Sequence, residues 1–486
     1  MENSINEVRS YRMLYTIAYV YLIIPYIIFA IGWLDIKYAL VMVSLLSVVA
    51  YKLIVNKGNI GKNIVDKKTL IKLIVVCLIL VLYSGVGGFI WQNRYDHMFR
   101  NAAFLDLINY KWPVINGDRI LSYYIGFWLP AAIIGKIFGV TVGYIFQVIW
   151  AAIGLVLVLE LIYNYIGSVS SEVFILFVMY SGLDIIEYFI VGLVDRERIL
   201  NLVVNVILGG HIELTALYFN SSSNITLLFW LYNHIIGFWI SYMIILSKHD
   251  RKNIIAVYAL MSLYAPIPMF GAIPVVIYYI IYDEENKKID ISKIRESISI
   301  ENICMGVCTL FIVVYYMSNN AVNNVKLLPI GRGKILAFIM YMICEYLLYI
   351  IVTYQNYKGD NLFKTLFIWT VICSFVVMGD SYDFAWRTCI PFAFYLMLKL
   401  MKLINENKLS KVKIKILTVL LIIGAITPCC EVIRTMWSEV GVICGEQTAR
   451  SNGLESMFDC DIEEAYNHFI GDAYDTPFSY IRKGVD

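Results

Sequence analysis

Four polar stretches interrupt an otherwise apolar chain, and each carries side chains that could bind or activate a substrate. The first runs Trp91-Gln92-Asn93-Arg94-Tyr95-Asp96-His97-Met98-Phe99-Arg100-Asn101 and continues to Asp106 and Trp112-Pro113-Val114. A carboxylate such as Asp96 can take a proton from an incoming hydroxyl or nitrogen acceptor. Arg94, His97 and Arg100 can hold a phosphate, and on a helix Asp96 and Arg100 share a face at i, i+4. The second stretch is Ser181-Gly182-Leu183-Asp184, followed by Glu187. Carboxylates at the end of a membrane span are costly unless they are paired or wet. The third is Gly209-Gly210-His211-Ile212-Glu213, running on to Asn220 and Asn224. In an extended segment His211 and Glu213 point the same way and could orient a sugar or join a divalent metal, although two ligands do not define a metal site. The fourth is Gly379-Asp380-Ser381-Tyr382-Asp383-Phe384-Ala385-Trp386-Arg387. There Arg387 could meet a lipid phosphate, snorkel, or simply pair with Asp383. Taken singly, each stretch reads equally well as a solvated helix end or a hydrogen-bonded turn.

The elements that must carry these residues follow from composition. Of 486 residues, 60% are hydrophobic and 16% charged, with a mean hydropathy of +0.71. Too few charges are present to cover a surface in water, and the apolar blocks reach the ~20 residues that cross a ~30 Å hydrocarbon core. Lipid leaves helices or closed barrels, and continuous rather than alternating apolar runs select helices. The expectation is an all-α polytopic membrane protein with about 11–14 transmembrane helices and external juxtamembrane helices. Glu160 and Glu345 are the main ionisable residues inside apolar blocks.

Orientation comes from lysine and arginine in short loops. Segments 52–72, 248–252, 287–295 and 399–415 are basic and should face the cytoplasm, with the N-terminus. The block 69–90 then runs outward. All four polar stretches fall on the extracytoplasmic side, as does the tail, and their shared side is the strongest functional argument in the residues themselves. Block 254–283 is flanked by basic segments on both sides, so it should turn back at Pro266 and Pro268. Segments 121–139 and 199–209 either span or lie on the surface. No basic arm with interleaved aromatics points to nucleic acid, and no glycine-rich phosphate loop of the nucleotide-binding type is present. Most cysteines lie in apolar blocks as packing residues, while Cys444 and Cys460 could pair in the tail.

The order of these features resembles the GT-C superfamily of membrane glycosyltransferases, which includes protein mannosyltransferases and aminoarabinose transferases. In that superfamily a helix runs outward into a first external loop with a catalytic Asp, followed by juxtamembrane helices. Here the outward block is 69–90 and the matching carboxylate Asp96, with Asp106 and Asp184 as rivals; Leu121 to Gly139 looks like the juxtamembrane element. The resemblance covers about residues 69–430. It divides the chain into an N-terminal transmembrane hairpin and basic loop (1–68), a GT-C-like module (69–430, first external loop 91–140) and a short extracytoplasmic tail (431–486). It implies transfer of a sugar from a polyprenyl-phosphate donor to a glycan, lipid or protein acceptor at the outer face of the cell membrane. Asp96 would be catalytic. His97, Arg100, Asn101, Asp106, Asp184, His211, Glu213, Asp383 and Arg387 would bind substrate. The rival readings are a transporter or flippase of a lipid-linked glycan and a surface-polysaccharide polymerase or ligase.

Overall fold

The computed structural model describes residues 2–55, 63–92, 96–193, 204, 206–213, 218–248, 250–283, 286–319, 325–329, 331–378, 382–443 and 454–484. The chain is an all-α polytopic membrane protein. Among the described residues, eight helices are long and apolar enough to cross a bilayer: Tyr11–Trp33, Ile36–Val55, Val140–Ile166, Ser171–Gly192, Asn224–Ser247, Arg332–Tyr357, Asp383–Asn405 and Lys411–Gly441. A ninth would be the pair Ile291–Ser297 and Ile300–Tyr316, bent by 76°. The remaining apolar blocks fold as shorter helices. Block 254–283 breaks into Ile254–Ala259, Pro266–Gly271 and Ile273–Ile281, with Pro266 opening the second piece, where its missing N–H costs no helical bond.

Lipid-facing and protein-facing sides separate clearly. On Ile36–Val55, Ala39, Met42, Leu46, Val49 and Leu53 face inward, while Ile36 and Leu40 are 71% and 62% exposed. An apolar exposed face of that kind is stable only against hydrocarbon. Val140–Ile166 and Asn224–Ser247 are the central pair, with 78% and 89% of their apolar windows buried. Tyrosine hydroxyls satisfy backbone groups where helices break. Tyr26 Oη donates to Ala259 O at 3.0 Å and accepts from Leu263 N at 3.1 Å.

For segment 121–139 the surface alternative holds. Segment 121–139 does not span: it contains the edge of a strand (Arg119–Leu121) and a ten-residue helix, Leu129–Phe138. Ten residues rise about 15 Å, half the hydrocarbon thickness. The tail packs against the bundle. Helix Ile426–Ile443 carries the last span past residue 431, and residues 454–484 fold back onto the bundle. Strand Ile470–Asp472 pairs antiparallel with Arg119–Leu121, which pairs with Ile115–Asn116. Beyond it, Asp35 N donates to Ile481 O at 2.9 Å and Lys483 N to Trp33 O at 2.8 Å. Gly471 permits this docking, because a Cβ there would meet Ser318 O at 1.7 Å. Arg94 and most of 199–209 lie outside the described residues, as does Cys444 and with it the possible pairing to Cys460.

Candidate functional site

Helix Lys67–Tyr83 starts at Asp66, whose carboxylate accepts from Thr69 N at 3.0 Å. It delivers the chain to the start of a second helix, Asp96–Asn109. Asp96 occupies that helix's first turn, where the macrodipole favours an anion. Arg100 lies one turn on, its Nη2 3.6 Å from Asp96 Oδ1; the arginine side chain is 4% exposed and the aspartate 45%. Both line a cavity of about 610 Å³. From the far part of the chain, helix Asp383–Thr388 brings Asp383 and Arg387 to the same wall, with Arg387 Nη2 2.5 Å from Asp383 Oδ2. Of the alternatives open for Arg387, pairing with Asp383 at i, i+4 is present, and it leaves Arg387 Nη1 over among the described residues.

The unused donors define the cavity's chemistry. Arg100 Nε and Nη1 and Arg387 Nη1 are buried without a hydrogen-bond partner among the described residues. Three guanidinium nitrogens in that state are expensive unless an anion completes them. His468 reaches the same cavity from the folded-back tail. Burial holds its imidazole below the usual range, the Arg387 and Arg100 charges push the same way, and Asp383 opposes them. A ring contact with Tyr123 at 5.9 Å fixes its place.

The third polar stretch supplies another wall. His211 Nδ1 stands 3.3 Å from Glu431 Oε1, and its ring stacks on Trp230 at 5.2 Å. Glu431 also pairs with Arg434 and accepts from Trp230 Nε1 at 2.9 Å. His211, Trp230 and Trp386 all face the cavity. Flat aromatic faces beside hydrogen-bonding groups suit a pyranose ring, which has an apolar face and polar edges.

Asp96, Arg100, His211, Asp383 and Arg387 thus meet in one cavity, whereas five other sequence candidates lie outside its wall. His97 turns inward against Tyr232, with centroids 6.0 Å apart; burial, then the Arg100 charge, brings its imidazole down to about 3. Asn101 Nδ2 donates to Gln92 Oε1 at 2.8 Å, and Gln92 Nε2 to Gly85 O at 2.6 Å, which pins the turn before the Asp96 helix. Asp106 is fully buried and accepts from Met457 N at 2.8 Å, so it anchors the returning tail; burial raises its carboxyl to about 7. Asp184 Oδ2 accepts from Ser181 Oγ at 3.1 Å and Thr427 Oγ1 at 2.8 Å. Glu213 Oε1 accepts from Ser223 N at 3.1 Å and Thr226 Oγ1 at 2.6 Å. It caps the start of the Asn224–Lys248 helix, and burial raises its carboxyl well above the usual range, with the Asp184 and Glu431 charges adding to this.

Sequence reasoning missed Tyr123, His468, Glu431 and Arg434. His468, Glu431 and Arg434 fall in the segment read as a tail, which shows no chemical pattern of its own; the structure places Glu431 and Arg434 in the helix Ile426–Ile443. Among the described residues no three His, Cys, Asp or Glu side chains gather as metal ligands. Comparison with family models, curated proteins and solved structures finds no match to this chain.

Proposed function

We propose that the chain is a glycosyltransferase that moves a sugar from a polyprenyl-phosphate donor to an acceptor on the extracytoplasmic face of the membrane. The observation that carries this reading is the cavity itself. An exposed carboxylate, Asp96, stands 3.6 Å from the buried Arg100 in a cavity also lined by the buried Arg387, and both arginines keep nitrogens free for an anion among the described residues. In the reaction the acceptor's oxygen or nitrogen attacks the anomeric carbon while the bond from that carbon to the phosphate oxygen breaks. Asp96 takes the acceptor's proton, and Arg100 and Arg387 hold the charge that collects on the departing phosphate. A single displacement inverts the anomeric centre.

Charge placement supports the assignment of faces. The helix that begins with Asp383 at the cavity ends with Lys399 and Lys402, and the next begins with Lys411 and Lys413. The helix that leads to Asp96 begins with Lys67 and Lys68. Lysines therefore gather at the helix ends away from the cavity, which is the cytoplasmic pattern. A transporter needs a continuous path between the two ends. The two carboxyls inside apolar helices, Glu160 and Glu345, line separate pockets that include neither Asp96 nor Arg387.

The test is transfer of label from a polyprenyl-phosphate sugar by the purified full chain in lipid nanodiscs, with wild type compared to Asp96→Asn. Transfer by wild type and its loss in the variant support the reading. Equal rates in the two proteins would end it.

A further inference from the structure

A second large cavity lies at the other end of the helix that leads to Asp96. It is a groove of about 590 Å³ between the first helix, Lys67–Tyr83 and Val140–Ile166. Its long walls are Leu70, Ile74 and Leu78 on one side and Ile149, Ile153 and Val156 on the other, and its rim carries Asn63, Lys67 and Glu160. The rim is built: Asn164 Nδ2 donates to Asn63 Oδ1 at 3.1 Å, and Ile64 N donates to Asn164 Oδ1 at 3.1 Å. These bonds hold the end of one helix beside the start of the other.

Two features identify the occupant. The first is length. Lys67 to Leu78, and Ile149 to Glu160, each span about eleven residues, roughly 16 Å at 1.5 Å per residue. That matches one leaflet, half of the ~30 Å hydrocarbon core. The second is charge. Glu160 is 7% exposed and faces the groove. Among the described residues its carboxylate has no hydrogen-bond or ion-pair partner, so it calls for a cation or donor from outside the chain. Lys67 stands at the same rim, with Lys68 and Lys72 exposed on the same helix. A zwitterion with a primary ammonium and a phosphate matches both charges; an anionic headgroup matches only the lysines, and a quaternary ammonium cannot donate to the carboxylate.

We propose that this groove binds one acyl chain of an amine-bearing phospholipid, with its ammonium on Glu160 and its phosphate at Lys67. The site is distinct from the cavity at Asp96 and independent of the reaction proposed for it. It ties lipid to the helix on which the first polar loop is mounted.

The experiment is native mass spectrometry of the full chain released from nanodiscs of phosphatidylethanolamine, phosphatidylcholine and phosphatidylglycerol in equal parts. Wild type should retain one phosphatidylethanolamine in roughly tenfold preference over either other lipid, the size expected of one charge-assisted hydrogen bond. Glu160→Gln should bring the three lipids to within about twofold, because the amide loses the charge that selects the ammonium. Ala152→Trp should fill the groove and remove the adduct, while Val75→Trp, on an exposed face of the neighbouring helix, should leave it unchanged. Equal retention of the three lipids by wild type overturns the proposal. So does a preference for phosphatidylglycerol, or a phosphatidylethanolamine preference that survives Glu160→Gln in a protein with wild-type elution.

Discussion

Two acidic groups on the cavity side of this protein have similar sequence credentials and different surroundings. Asp96 and Asp383 stand in an open cavity, each within an ion pair to an arginine. Asp184, Glu187, Glu345 and Glu213 are all buried, and among the described residues no lysine or arginine pairs with any of them. Instead, hydroxyls and a backbone N–H serve Asp184 and Glu213, and Glu345 hydrogen-bonds to Asp184. That group is therefore served by neutral donors and by a carboxyl neighbour rather than by cations among the described residues. The cavity does the reverse, with guanidinium donors in surplus. Surplus donors beside an exposed carboxylate suit the anionic substrate proposed for the cavity, whereas the buried acidic group bonds mainly to neutral donors on neighbouring helices.

The comparison can be broken by substitution. The largest effect is expected for Asp96→Asn, which keeps shape and removes the base. Transfer should fall by about a thousandfold, within the range of positioned acid–base catalysis, with donor binding retained. A fall of less than about tenfold, measured as initial rate at saturating donor, would move the base to another residue. Next comes Arg387→Lys. Its ammonium cannot both pair with Asp383 and present the second, free donor that Arg387 Nη1 offers, so kcat should drop by roughly a hundredfold. An unchanged kcat would remove Arg387 from the anion site.

The third test concerns the tail that brings His468 to the cavity. Asp106 anchors Met457, and its carboxyl is raised from 3.8 to about 7 by burial. The folded state therefore holds this proton more tightly than the unfolded chain. The resulting stabilisation is fully present below about pH 4 and is lost as pH rises through about 7. Limited proteolysis of the tail in nanodiscs should accelerate several-fold between about pH 5 and 8 in wild type, with much less slope in Asp106→Asn. Equal slopes would show that another group controls docking. The smallest effect on chemistry is expected for Asp184→Asn, which should leave the transfer rate within about threefold while lowering thermal stability by about 1–3 kcal/mol through its disturbed hydroxyl contacts. A hundredfold loss of rate in a protein of normal stability would place Asp184 in the reaction and erase the distinction between the two groups.

Length and apolar continuity alone determined that this chain lives in a bilayer as helices, because lipid offers the backbone no hydrogen bonds and leaves few alternatives. The pairs Asp96–Arg100 and Asp383–Arg387 were also legible, since i, i+4 spacing on a helix needs no knowledge of the rest of the molecule. Where a polar side chain points relative to distant helices is a different matter. Asp184 and Glu213 have the same sequence signature as Asp96, a carboxylate near a helix end, yet helix packing turned them inward onto Ser181, Thr427, Ser223 and Thr226. His468 joined Arg387 through long-range contacts of the tail, among them the pairing of Ile470–Asp472 with Arg119–Leu121, strands some 350 residues apart. Local spacing sets which residues share a helix face. Long-range packing sets which faces meet, because that depends on the summed burial of every helix.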